Sequence, residues 1–267
     1  MSIEKSDWID NNPNLHNPHL DGDSFFWKAG PVGILLSHGY TATTAEIRPL
    51  AEKFYEHGYT VFAPLLPGHG TKPEDLNRIH WKDWVRTGRE SLQKLFDTCE
   101  QVLVAGESLG GVLALYLASI EPHVAGILLY APAIRTPMSK LDYLKLYFGA
   151  PFLTQVGRAS LDCPDVWQGY SGLPLKGIIQ LLRFQSAVRQ RLLNIHQPML
   201  VFQGRKDATV GPEVGNIILE GISSEIKEHH WMEKSSHVII LDAELEQVAV
   251  ASINFIEKIT APLQMGR

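Results

Sequence analysis

Residues 101–110 read Gln101-Val102-Leu103-Val104-Ala105-Gly106-Glu107-Ser108-Leu109-Gly110. An apolar run ends in a serine held between glycines, and a helix-like segment, Val112 to Ile120, follows. The order is strand, sharp turn, helix. Glycines suit such a turn, because an elbow that exposes a serine draws neighbouring backbone too close for extra side chains. Gly106 to Gly110 specify little by themselves. At a strand–helix junction they make Ser108 a candidate nucleophile.

The segments on either side extend the pattern. Val32–Leu36, Tyr59–Ala63, Val124–Tyr130 and Pro198–Phe202 are continuous apolar runs, the signature of strands buried on both faces. Phe25-Phe26-Trp27 suits a short edge strand, and Glu225 to Trp231 alternates in part. Between the strands lie helical periods. One carries Ile47, Leu50, Ala51 and Phe54, after capping-box spacing at Thr43-Thr44-Ala45-Glu46, and ends at Gly58. Others span Trp81 to Thr98, Pro212 to Leu219 and Leu245 to Ile259. Alternating strands and helices call for an α/β fold with a mainly parallel sheet covered on both faces.

One stretch breaks the alternation. Residues 135–197 hold no clear strand but carry Leu141, Tyr143, Leu144, Leu146, Tyr147, Phe148, Phe152 and Leu153, then a helical spacing from Ile178 to Val188. A stretch this long inside a domain forms its own small unit. We expect a core of residues 1–134 and 198–267 and a helical cap insertion over 135–197, whose Leu, Phe and Tyr suit an apolar acyl pocket.

Composition narrows the class. The chain has 267 residues, which fits one large α/β domain or one domain with an insertion, and at 45% hydrophobic and 20% charged it is ordinary for a soluble globular protein. A net charge of −5 offers no positive field for nucleic acid. The polar start, Met1 to Trp8, lacks an apolar signal core, and no run approaches the roughly 18 apolar residues of a membrane span. Two cysteines, Cys99 and Cys163, make no disulfide framework and read as free thiols in a reducing, cytoplasmic compartment. Oligomeric state leaves no mark in the sequence.

A serine nucleophile needs a base, a carboxylate to orient that base, and donors for the oxyanion. Open parallel sheets build their sites at the carboxyl ends of strands. Asp207 follows the strand at 198–202 through Gln203-Gly204-Arg205-Lys206, whereas Asp142, Asp162 and Asp165 fall in the insertion. His237 lies on the loop before the last helix, while His229 and His230 sit within a strand and read as structural. The order Ser108, Asp207, His237 fits strand-end placement of all three. His38-Gly39-Tyr40 follows the first buried strand. We assign the Tyr40 N–H as one oxyanion donor and the Leu109 N–H, at a helix N-terminus, as the other. His38 and His69 read as ordering their loops.

These residues carry a resemblance. His38-Gly39-Tyr40-Thr41 with Arg48-Pro49-Leu50-Ala51, Pro67-Gly68-His69-Gly70-Thr71, Asp83-Trp84-Val85, Gly106 to Gly111, and Ser236-His237-Val238-Ile239 with Leu241-Asp242 resemble the α/β-hydrolase superfamily from about Phe25 to Ile259. The likeness is to bacterial carboxylesterases and monoacylglycerol lipases with a small cap. It implies a serine triad of Ser108, Asp207 and His237, a cap, a small-molecule ester substrate, and no metal or cofactor. The expected activity is a serine carboxylesterase acting on short-to-medium acyl esters through an acyl-enzyme on Ser108. The alternatives are a monoacylglycerol lipase, a thioesterase or amidase using the same parts, or a non-catalytic ligand-binding member of the fold. Ser108 argues against relatives that use a carboxylate nucleophile. One departure stands out: Glu107 replaces an uncharged residue beside the nucleophile, and we expect it to point away from the site or to be paired.

Overall fold

The structure, a computed structural model, describes residues 12–157 and 166–261. Asp162, Cys163 and Asp165 lie outside the described residues. In chain order the elements are β1 (Leu15–His16), β2 (Phe25–Trp27), β3 (Val32–Ser37), α1 (Arg48–Glu56), β4 (Thr60–Ala63), α2 (Pro73–Leu76), α3 (Trp81–Phe96), β5 (Gln101–Glu107), α4 (Leu109–Ala118) and β6 (Val124–Tyr130). There follow α5 (Lys140–Gly149), β7 (Gln155–Gly157), β8 (Gly169–Tyr170), β9 (Gly172–Pro174), α6 (Leu175–Arg189), β10 (Met199–Gly204), α7 (Val214–Gly221), β11 (Lys227–Met232) and α8 (Leu245–Thr260).

Seven strands form one sheet in the order β11-β10-β6-β5-β3-β4-β2. All neighbours run parallel except β2, which pairs antiparallel with β4 at the edge. Alternate residues of the buried runs feed two separate cores, as a pleated strand requires. Leu35, Val102, Val104, Ile127, Leu129 and Val201 pack with α3, α4, α6 and α7 on one face. Ile34, Leu36, Leu103, Ala105, Leu128 and Phe202 pack with α1 and α8 on the other. The continuous apolar runs therefore reflect burial of both strand faces. The strand order reverses around β3, with β4 on one side and β5 on the other, which is where such sheets open a crevice.

The 135–197 segment differs from its sequence reading in two ways. It contains three short strands where none was expected: β7 pairs with β9, and β8 pairs with β1 near the N-terminus. Two or three residues are too few to show a period, so tertiary pairing alone defines them. Most of its apolar side chains are also exposed rather than buried. Leu141, Tyr143, Leu144, Tyr147, Phe148, Phe152 and Leu153 are exposed, and only Leu146 of the set is buried, against Leu175 and Leu182 of α6. The inner helix α6 is anchored by Phe184, fully buried and stacked on Trp81 with ring centroids 5.2 Å apart.

Candidate active site

Ser108 joins β5 to α4 with φ 52° and ψ −108°, a left-handed conformation that strains a residue carrying a Cβ. The glycines around it make the turn possible. A Cβ on Gly106 would sit 2.2 Å from the Gly110 carbonyl carbon, and one on Gly110 would sit 2.0 Å from the Ser37 carbonyl oxygen at the end of β3. Ser108 precedes α4, yet its hydroxyl does not cap that helix. It turns to His237 instead, with Oγ 3.0 Å from Nε2.

His237 Nδ1 lies 2.8 Å from Asp207 Oδ2. A carboxylate only accepts, so Nδ1 carries the proton and Nε2 is left to accept from the serine. The Asp207 carboxylate is itself fixed: Oδ1 accepts the main-chain N–H groups of Thr209 (2.8 Å) and Val210 (3.0 Å). Its side chain is only 3% exposed and that of His237 17%, so the pair is shielded from water without being sealed. Ser108, Asp207 and His237 thus come together from the ends of β5, β10 and β11, although 129 residues separate the serine from the histidine.

The histidine loop is ordered by two carboxylates that the sequence reading gave no such role. Asp242 accepts the Ser236 N–H and hydroxyl at 2.7 and 2.8 Å, and Glu244 accepts the Lys234 N–H and Ser235 hydroxyl at 2.8 and 2.6 Å. The Lys206 N–H donates to the Ser235 carbonyl at 3.0 Å, tying the aspartate loop to the histidine loop.

Tyr40 and Leu109 lie at the same end of the sheet, where α4 begins against the end of β3. His38 is fully buried; Nδ1 donates to the Gly39 carbonyl at 2.9 Å and Nε2 accepts the Leu66 N–H at 3.0 Å. Burial lowers its pKa to about 4, against a smaller opposing effect of the Gly39 carbonyl. It is therefore a neutral loop clamp. His69 Nδ1 likewise faces the Leu66 and Pro67 carbonyls, at 3.1 and 3.2 Å.

Two acidic residues depart from their sequence reading. Glu46 does not close a capping box with Thr43: residues Thr44–Glu46 form a 3-10 turn, and the Glu46 carboxylate reaches elsewhere. It accepts the Gly39 N–H at 2.6 Å and the Trp167 indole N–H at 2.9 Å. Glu107 is buried and, among the described residues, neither carboxyl oxygen has a hydrogen-bond partner, so of the two expected outcomes pairing is absent, while alternation along β5 puts it on the face of Leu103 and Ala105. Burial first, and then the nearby Glu46 and Asp207 carboxylates, push its pKa well above the usual carboxylate range. Among the described residues, no three His, Cys, Asp or Glu side chains gather to hold a metal ion, and no helix is long and apolar enough to cross a membrane.

Comparison with known proteins agrees with the fold. Residues 34–251 match the alpha/beta hydrolase family model. The chain is 37% identical over 248 residues to a thermostable monoacylglycerol lipase from Bacillus sp. (strain H-257), covering 90% of this chain and 97% of the relative. It is 30% identical over 239 residues to a carboxylesterase from Bacillus subtilis (strain 168), covering 88% and 96%. A solved metagenome-derived lipolytic enzyme superposes with a TM-score of 0.83 at 30% identity, over 90% of this chain and 99% of that one. The chain is a hydrolase and belongs to the alpha/beta hydrolase family.

Proposed function

We propose that the chain is a serine carboxylesterase acting through an acyl-enzyme on Ser108. Ester hydrolysis as such follows from the two relatives, a lipase and a carboxylesterase, that align along nearly the whole chain. The serine mechanism is carried by one observation: the unbroken line of hydrogen bonds from Ser108 Oγ through His237 to Asp207.

Ser108 attacks the ester carbonyl while His237 Nε2 takes its proton. Asp207 holds the tautomer that leaves Nε2 free to do so and stabilises the imidazolium that forms. The developing oxyanion is received by the main-chain N–H groups of Tyr40 and Leu109, the second at the positive end of α4. His237 then returns the proton to the leaving alcohol, and water repeats the sequence on the acyl-enzyme. Residues 135–197 act as the cap over this site.

Short-to-medium acyl chains are proposed from the burial of Ser108, which is 8% exposed. The resemblance to a monoacylglycerol lipase supports a second reading within the same chemistry, a monoacylglycerol substrate. A p-nitrophenyl ester series from acetate to palmitate, run beside a monoacylglycerol, separates the two. Ser108→Ala is expected to abolish turnover while the protein remains folded. Undiminished ester hydrolysis by that variant would overturn the mechanism, and a maximum at the longest acyl chains would overturn the substrate range.

A further inference from the structure

Tyr40 has two ends that serve different parts of the molecule. Its main-chain N–H belongs to the loop that follows β3 and is assigned above to the oxyanion. Its hydroxyl donates to the Pro174 carbonyl at 2.6 Å. Pro174 closes β9 and immediately precedes α6, so the hydroxyl rests where the cap turns into its inner helix. The fit is close: a Cβ on Gly177, in the first turn of α6, would lie 2.3 Å from the Tyr40 hydroxyl oxygen and 3.2 Å from the ring carbon that bears it.

The rest of the loop is tied to the same stretch of cap. Glu46 bridges the Gly39 N–H to the Trp167 indole. The Thr41 carbonyl accepts the Tyr170 N–H at 3.0 Å, and the Thr43 N–H donates to the Gln168 carbonyl at 3.1 Å. Thr41 itself has φ 69°, a conformation unfavourable for a β-branched residue and kept only where surroundings impose it. Loop 39–43 therefore takes its shape from cap residues 167–177 as well as from the core.

We propose that Tyr40 is a positioning residue that couples the cap to the oxyanion hole. Its side chain fixes the loop to the β9–α6 junction, and the loop in turn aims the N–H at the oxyanion. The inference rests on the serine-esterase reading above. An oxyanion donor is used most strongly in the transition state, so misplacing it lowers kcat and leaves KM for a small ester little changed. Esters whose bulk presses on the β9–α6 junction should then be slowed in kcat rather than bound more weakly.

Three variants test this: Tyr40→Phe, Gly177→Ala and the double variant. Each is assayed for kcat and KM on p-nitrophenyl butyrate, with a fluorophosphonate probe counting reactive serines. Tyr40→Phe keeps the N–H and the ring, and its kcat is expected to fall roughly tenfold, short of the 10²–10³ for complete loss of a donor. Gly177→Ala forces a methyl onto the hydroxyl and is expected to lower kcat further. In the double variant the 2.3 Å clash is gone and the remaining contacts, 3.2 Å to the Tyr40 ring and 3.3 Å to the Leu76 side chain, need only small shifts, so kcat should return close to that of Tyr40→Phe alone. Multiplying effects, or a Tyr40→Phe protein with wild-type kcat, overturn the coupling while the probe still labels Ser108. A wild-type protein that neither labels nor turns over overturns the esterase reading and the coupling with it.

Discussion

Replacing Asp207 by Asn tests the hydrogen-bond line at its far end. The asparagine amide has one accepting oxygen and one donating nitrogen in place of two acceptors. Two main-chain N–H groups, those of Thr209 and Val210, compete with one imidazole N–H for that oxygen. Two bonds outweigh one, so the oxygen stays with the main chain and the amide NH2 faces His237. An NH2 group can only donate, which forces Nδ1 to accept and moves the ring proton to Nε2. The nitrogen facing Ser108 is then protonated and cannot act as base. A wrong tautomer of this kind costs about 10⁴ in kcat, or about 5.4 kcal/mol of barrier at 1.36 kcal/mol per decade. Stability changes much less. The lost charge-assisted bond contributes about 1.5–3 kcal/mol, and at about 2–4 °C per kcal/mol that lowers Tm by about 3–12 °C. Steady-state hydrolysis of p-nitrophenyl butyrate beside a calorimetric scan reads both quantities. An Asp207→Asn protein within tenfold of wild-type kcat would refute the assignment of Asp207.

Other perturbations have equally definite outcomes. Glu107→Gln removes a carboxyl whose folded pKa lies well above its unfolded value, so in the wild type the folded state holds the extra proton and loses stability as pH rises past about 4.3. The unfolding free-energy advantage of Glu107→Gln over wild type should therefore grow as pH rises above that value, by about 1.4 kcal/mol per pH unit until the folded pKa is reached; a difference in denaturant-unfolding stability that does not vary with pH refutes the buried neutral acid. Gly110→Ala places a methyl 2.0 Å from the Ser37 carbonyl oxygen, a main-chain atom that cannot swing aside, and is expected to cost about 3 kcal/mol or more and to appear as insoluble or low-melting protein. Phe184→Ala removes the ring that anchors α6 to Trp81 and should cost about 3–5 kcal/mol, a Tm drop of about 6–20 °C measured by differential scanning calorimetry.

What the sequence disclosed follows from the range of the forces involved. Strand burial on both faces imprints a continuous apolar run on the chain itself, and a strained elbow demands glycines within two residues of Ser108. Asp207 and His237 were legible as candidates because each lies on the loop after a strand signal, the apolar run 198–202 for Asp207 and the partly alternating 225–231 for His237, and the two fall in the required order. Glu46 was not, because its partner Trp167 lies 121 residues away and nothing local distinguishes a carboxylate that caps a helix from one that bridges two loops. The exposure of α5 was hidden for a related reason: an apolar helix does not itself state which of its side chains the fold will cover.

Glu107 shows how the two ranges combine. Alternation along β5 places it on the same face as Leu103 and Ala105, and the sheet register sets it beside Tyr130, within the layer that packs against α1 and α8. A carboxyl delivered to that layer meets apolar side chains and finds no hydrogen-bond partner. The charges that act on it are two further carboxylates, Glu46 and Asp207. Burial and both neighbours therefore act in one direction, toward the neutral acid. An anion at Glu107 would add a third negative charge to those of Glu46 and Asp207, whereas a protonated Glu107 adds none. Burial and both neighbouring carboxylates thus favour the neutral acid next to the nucleophile, and the pH dependence of Glu107→Gln stability tests that directly.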